Sequence, residues 1–504
     1  MAECFVLSGS VGDLPWAEAP AGGLRLVSAP EAEAVDFALL DCFDRPLTGS
    51  GRVLIEAGAE LTLLTDAGRL AQTAARAGNF PGDLAPGPVR TAIADLPFLR
   101  SLLALGRGRM VEQRLALLDD QDKTQARARL WRLEPKGRGV AVTLVALQRL
   151  RGYDAAYDQL ARRLRGAGPH LPLTALAATL FPGCPPYSAK PVVPFTADSA
   201  ARSTATALIA AHLAVARQNE AGVIADIDTE FLHDYRVALR KVRSILSLFK
   251  GVYDPALTDE LKRAFSDLMA PTGRLRDLDV YLLDRAFYFE LLPDRLHPGL
   301  EALFALFAAE RERQLAGLSR RLRSKPYGAE MVRLQAVFAD PERLVSGPAA
   351  DLPVGDFARG LIWKRYRKLC RIAREIGPET PDHEIHMLRI NGKKLRYLME
   401  FFAPLFPGKQ MAKLIKPLKR LQDTLGRFND YSVQQSSLAQ FVETHHAADR
   451  VADLAIAQSL GALIAVLHQR QLEERARVQS HFADFDSPAT RETFRKLFHH
   501  EATA

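Results

Sequence analysis

The chain has 504 residues, 48% apolar and 25% charged, with a formal net charge of +8 and a pI near 9.3. This composition excludes global disorder, and the length points to two or more domains. The positive balance favours an anionic partner without choosing among nucleic acid, a membrane surface and a phosphate polymer.

The start, MAECFVLSGS, lacks a signal-peptide pattern, and no segment approaches the ~18 apolar residues of a membrane span. Four cysteines, Cys4, Cys42, Cys184 and Cys370, are scattered without metal-ligand spacing and read as buried free thiols of a reducing compartment. The expectation is a cytoplasmic protein with no membrane partner. From residue 1 to about 165, short apolar runs such as VLIE and LTLL alternate with Gly, Pro and Asp, which predicts strands. Residues 109–118, 126–134 and 140–145 are predicted as consecutive antiparallel strands, with turns at 119–122 and 135–139, and 152–165 has helical spacing.

LLDCFDRPLTGSGRVLI near 39–55 and RGYD at 151–154 make this half similar to CYTH domains, which have a triphosphate tunnel fold. That family holds metal ions and triphosphate on an N-terminal ExExK. Here the strand reads ECFVLSGS, so only Glu3 matches, and the second acid and the lysine are missing. Triphosphate carries about four negative charges, which hydrolysis needs neutralised by metal and cations. The resemblance therefore implies a degenerate domain over 1–165 with no metal and no catalytic residues. Arg52, Arg114, Arg127, Arg129 and Arg132 remain, either as lumen cations or as alternating arginines of an exposed sheet face.

Residues 166–196 contain FPGCPPYSAKPVVPF, the densest proline stretch, and are expected to be an ordered linker. From 197 the pattern is helical. Predicted helices cover 201–219, a segment capped by Asp228 or Thr229, 261–275, 278–292 and 298–322; a second series begins near Val354, with 357–376, a helix carrying His386, a basic third helix, and then 431–446 and 448–482.

HDYRVALRKVRSILSLF at 233–249 recurs as HMLRINGKKLRYLMEFF at 386–402, an offset of 386 − 233 = 153; GRLRD at 273–277 meets GRFND at 426–430 at the same offset. His233 pairs with His386, Arg236 with Arg389, Arg240 with Lys393, Lys241 with Lys394 and Arg243 with Arg396. A duplicated unit is the economical reading. Steps of three, four and three put His233, Arg236, Arg240 and Arg243 within roughly 80° of one helix face. An apolar stripe that includes Val242, Ile245 and Phe249 lies beside it.

These two cores, together with RDLDV at 276–280 and LQDTLGRFND at 421–430, resemble the CHAD domain over about 197–500. The resemblance implies an all-α domain of two pseudo-twofold-related four-helix bundles, repeat one at about 197–345 and repeat two at 354–500, within a domain spanning 197–504. The fold class is then α+β, an antiparallel β domain followed by this helical one.

Like charges at helical spacing cost a few tenths of a kcal/mol per pair unless an anion relieves them. CHAD relatives are polyphosphate-binding modules, so the expected ligand is inorganic polyphosphate. The expected contacts are His233, Arg236, Arg240, Lys241, Arg243, Arg263, Arg274 and Arg276 in copy one. In copy two they are Lys364, Arg365, Lys368, Arg371, His386, Arg389, Lys393, Lys394, Arg396, Lys413, Lys416, Lys419, Arg420 and Arg427. The histidines read equally well as phosphate donors and as helix caps or cross-links; metal ligation is a third, weaker reading, because no Glu or second His stands at i+4. Asp277, Asp279 and Asp430 read as capping or ion-pairing groups, and Gly392 as a point of close approach.

No cofactor is expected. Polyphosphate granules are the expected location, with granule surface proteins as further partners; oligomeric state is not legible. Two alternatives stay open: a metal-dependent triphosphatase or other phosphohydrolase, for which His233-Asp234 is a weak sign because copy two has Met387 there, and a general polyanion or nucleic-acid binder. Base reading needs stacking aromatics or base-edge donors, and Tyr235, Trp363, Tyr366 and Tyr397 are spaced like packing residues, so nucleic acid is disfavoured. His445-His446 and His499-His500 read as incidental.

Overall fold

The structure, a computed structural model, describes residues 3–9, 23–183, 187–340, 343–377, 379–444 and 450–499. Cys184, His445, His446 and His500 lie outside them; Cys4, Cys42 and Cys370 are buried. The chain divides into two compact units, Met1–Ala189 and Lys190–Ala504.

The first unit is an antiparallel sheet built from β1 (Glu3–Ser8), β2 (Arg25–Ser28), β3 (Val35–Asp41), β4 (Val53–Ala57), β5 (Glu60–Thr65), β6 (Gly68–Thr73), β7 (Leu103–Leu118), β8 (Thr124–Pro135), β9 (Val142–Gln148) and β10 (His170–Leu171). The strand order is β10-β1-β9-β8-β7-β3-β4-β5-β6, with β2 beside β7. The predicted run of three strands is β7, β8 and β9, in register at Arg114 opposite Arg129 and Trp131 opposite Leu144.

Both faces of the sheet are covered. Ala126, Ala128 and Leu130 pack toward α3 (Asp154–Arg165), while Trp131 and Leu133 on the other face join β1, β3, β4, β5 and β9 in a core closed by α4 (Leu173–Leu180). Short helices α1 (Pro46–Gly49) and α2 (Pro88–Ala92) cover β3 to β5. Within the segment 166–196, expected as a linker, β10 and α4 belong to the first unit, which ends at Ala189. Leu173, Leu176, Ala177 and Leu180 fall at helical spacing and are buried against the sheet, a short amphipathic turn concealed among prolines.

The second unit is helical: α5 (Ala201–Ile224), α6 (Thr229–Leu248), α7 (Pro255–Met269), α8 (Gly273–Leu283), α9 (Arg285–Glu290), α10 (His297–Leu322) and α11 (Lys325–Ala339), then α12 (Val354–Arg374), α13 (Asp382–Phe401), α14 (Gly408–Thr444), α15 (Arg450–Phe485) and α16 (Pro488–Phe498). Asp228 caps α6, its carboxylate accepting from the amides of Glu230 at 3.0 Å and Phe231 at 3.3 Å. Helices α5, α6 and α7 begin at 201, 229 and 255, and α12, α13 and α14 begin 153 positions later, at 354, 382 and 408. The duplication seen in two motifs thus governs three helix starts per copy.

Two boundaries differ from expectation. The predicted helix at 261–275 ends early, because Pro271 lies in a 3-10 turn at Ala270–Thr272 that separates α7 from α8. In copy two the matching position is Thr424, and α14 runs unbroken where two helices were expected.

The copies meet about a twofold axis, on which a residue touches its own counterpart. Phe249 stacks on Phe402, centroids 4.9 Å apart with 16° between planes. Ala200 bridges Pro353. The amide of Ala201 donates to Leu352 O at 2.9 Å, and the amide of Val354, the counterpart of Ala201, donates to Ser199 O, the counterpart of Leu352, at 2.8 Å. A shared core of α8, α9, α10, α14 and α15, including Tyr288, Phe307, Leu438 and Leu460, joins the two copies.

Candidate functional site: a cationic cluster across the pseudo-twofold

Helices α6 and α13 touch, and their basic faces meet at this axis. Arg240 of copy one and its counterpart Lys393 lie close enough to repel one another, as do Arg240 and Arg389. Arg236 neighbours Arg240 and Arg276, and Lys241 neighbours Arg396. Seven cations, Arg236, Arg240, Lys241, Arg276, Arg389, Lys393 and Arg396, therefore form one group drawn from both copies. Burial is the first cause that lowers the pKa of Arg236, Lys241 and Arg389, with neighbouring cations adding to it. The ammonium of Lys393 is pushed down to about 8 by burial, Arg389 and Arg240.

The surrounding helices orient these side chains by matched contacts. Arg236 Nη1 donates to Thr272 Oγ1. Arg243 Nη1 lies 3.7 Å from Met269 Sδ, and its counterpart Arg396 donates to Gln422 Oε1 at 3.0 Å, Gln422 being the counterpart of Met269. Arg389 pairs with Asp430 at 3.5 Å, and Asp277, at the same place in copy one, interacts with Arg236. Asp279 receives Arg311 at 2.7 Å. These aspartates act as ion-pairing groups.

The cluster is only partly neutralised: Arg396 Nε also pairs with Glu400 Oε1 at 2.9 Å. Arg276 Nη1 stays 4.0 Å from Glu230 Oε1, and both this nitrogen and Arg389 Nε are buried with no hydrogen-bond acceptor. Buried cationic N–H groups without acceptors are costly and mark a place where an anion fits.

His386 Nδ1 donates to Asn429 Oδ1 at 2.6 Å, cross-linking α13 to α14, while the residue remains exposed. His233 is half-buried on α6. Gly392 lies against Gln422, which donates to its carbonyl at 2.5 Å; an added Cβ would sit 3.5 Å from Gln422, an ordinary contact, so the close neighbour is a side chain.

The other expected contacts lie elsewhere. Arg274 is held by Glu310 at 2.7 and 2.5 Å, Arg427 by Glu474 at 2.9 Å and Arg420 by Asp484 at 3.3 Å. Arg243, Arg263, Lys364, Arg371, Lys413, Lys416 and Lys419 are exposed. Arg365, Lys368 and Lys394 gather on a separate flank, together with Lys250, which sequence reasoning missed although it directly follows the first motif. Thr272, Gln422 and Asn429 were also missed, because their role depends on helices far along the chain.

The aromatic residues are committed to packing. Tyr235 is 1% exposed and its hydroxyl meets that of Tyr327 at 3.2 Å. Tyr366 stacks on Phe494 at 3.9 Å, and Trp363 packs on His499.

Of the five arginines singled out in the first unit, four are compensated. Arg52 grips Asp95 at 2.7 and 2.8 Å, Arg114 and Arg129 share Glu112, and Arg132 meets Glu31 at 3.0 Å; Arg127 is exposed. Among the described residues there is no group of three His, Cys, Asp or Glu side chains suited to a metal ion, and no helix long and apolar enough to cross a membrane.

Residues 207–439 match the CHAD domain profile. The CHAD domain of the plant Ricinus communis is similar at 27% identity and a TM-score of 0.45, over 55% of this chain and 95% of that one. PptA from Streptomyces chartreusis is similar at 17% identity and a TM-score of 0.44, over 56% of this chain and 99% of that one. No curated protein matches the chain. With its duplicated basic helices, paired helix starts and matched profile, the helical unit carries a CHAD domain.

Proposed function

We propose that the helical unit binds inorganic polyphosphate without turning it over, and that it does so at polyphosphate granules. The observation that carries this reading is the convergence of Arg236, Arg240, Arg276, Arg389, Lys393 and Arg396 on one axis, with two guanidinium N–H groups buried and unmatched. Membership of a domain family associated with polyphosphate supports it. Polyphosphate has about one charge per phosphate and no bases, so its affinity comes from Lys and Arg with counterion release, as for a nucleic-acid backbone. The commitment of Tyr235, Trp363 and Tyr366 to packing argues against base stacking.

The test is competition binding of the purified chain to long polyphosphate against single-stranded DNA and heparin near ~0.15 M salt, where weak surface attraction is screened. The expected result is clear preference for polyphosphate, lost when Arg236, Arg240, Arg389 and Lys393 are together replaced by Glu with helicity retained. Equal binding to every polyanion, or unchanged affinity in that variant, overturns the reading.

A further inference from the structure

On the flank formed by α12 and α13, Lys394 lies among Arg365, Lys368 and Lys250. Arg365 Nη1 donates to the neutral Oδ1 of Asn391 at 2.9 Å, and no carboxylate pairs with any of the four cations among the described residues. Lys394 and Arg365 are half-buried, whereas Lys250 and Lys368 are exposed. Burial first, then the three neighbouring cations, disfavour the charged form of Lys394. The cations that neighbour Lys394 are Arg365, Lys368 and Lys250, none of them a member of the cluster on the axis.

The pseudo-symmetry supplies an internal control. The counterparts of Lys250, Arg365, Lys368 and Lys394 are Ala403, His212, Val215 and Lys241. At this place in copy one His212 is 4% exposed, with Lys241 nearby and Phe401 against its ring. Burial holds its imidazole neutral, its pKa pushed down to about 3. The fold is therefore built there with a neutral histidine and a valine, and copy two carries its extra cations for another reason. Lys364 and Arg371 continue the same exposed side of α12 to either side of Lys368, a run of about 10 Å at 1.5 Å per residue.

We propose that this flank is a second phosphate-anion site, which takes a further stretch of the same polyphosphate chain; it rests on the reading above. A long chain engages the axial cluster and the flank together and gains from effective concentration, whereas a short one occupies the axial cluster alone.

The experiment compares long-chain polyphosphate, about a hundred phosphates, with tripolyphosphate, each titrated into the full chain near ~0.15 M salt. The variant combines Lys250→Gln, Lys368→Gln and Lys394→Gln, with a Lys→Arg version of all three as the charge-preserving control and circular dichroism to confirm the fold. The expected result is about a tenfold or greater loss of long-chain affinity, a salt dependence shallower by about two in log–log slope, and tripolyphosphate affinity unchanged within about twofold. The Lys→Arg version is expected to bind long chains like the parent. Unchanged long-chain affinity overturns the proposal, and so does an equal loss for both probes, since the flank would then belong to a single site. If the parent chain binds neither probe, the polyphosphate reading itself fails.

Discussion

Lys393 is the cation whose charge is most exposed to pH. Its ammonium, pushed down to about 8 by burial with Arg389 and Arg240, is partly supported by Asp430 and further opposed by Arg396. Below about 8 it is charged and contributes to anion binding; above, it is neutral and the contribution disappears. A bound phosphate favours the charged form, so binding takes up a proton in this window. The sign for stability is opposite. The folded pKa lies below the unfolded value of 10.5, so the free protein gains stability as pH rises from about 8 toward 10.5, and bound anion suppresses that gain. One surface-type charge interaction of about 1 kcal/mol makes the expected loss of polyphosphate affinity between pH 7 and pH 9 roughly fivefold. Lys393→Arg keeps its charge throughout and is expected to show a flat profile; a flat profile in the parent would place Lys393 outside the contact. The repeating cations were legible from the sequence because their spacing is local. Which of them are already neutralised was not, because Glu310, Glu474 and Asp484 reach Arg274, Arg427 and Arg420 from positions 36, 47 and 64 residues away.

Among the elements, α6 has a side-chain cap and its counterpart α13 has none, Pro381 standing at the cap of the latter. Asp228→Ala is therefore expected to lower stability by about 1 kcal/mol in urea unfolding with an unchanged slope, and Thr229→Ala to leave it within about 0.5 kcal/mol. Equal losses from both would assign the cap to the wrong residue. Elements with long periodic patterns were legible: the start of copy two near Val354 coincides with α12, and the three strands β7, β8 and β9 lie where alternation predicts them. Two others were not. The eight residues of α4 carry too little periodicity to stand out from prolines, and only the apolar face of the sheet makes them a helix. In copy two Thr424 stands where copy one has Pro271 and a broken helix; its hydroxyl lies 2.7 Å from His481 Nδ1 on α15, and α14 runs on through this point and through Pro417.

In the whole molecule, duplication does more than repeat a basic helix. A single α6 presents Arg236 and Arg240, and only the axis brings Arg389, Lys393 and Arg396 beside them. The stacked pair Phe249 and Phe402 lies on that axis and sets the spacing of α6 and α13, so the geometry of the cationic cluster depends on a contact that touches no ligand. Such an aromatic pair is worth about 0.5–1.5 kcal/mol beyond its buried area. A double-mutant cycle of Phe249→Leu and Phe402→Leu is expected to show a coupling of about 1 kcal/mol in unfolding free energy. Each single variant is also expected to weaken polyphosphate binding severalfold by loosening the apposition of the two helices. Phe304→Leu, in the shared core of α8, α9, α10, α14 and α15, is the control: a comparable loss of stability with affinity retained. If Phe304→Leu weakens binding as much as the axial variants do, global stability governs the ligand. If the axial variants bind like the parent, the two copies hold their cations in place independently, and the twofold is a feature of the fold alone.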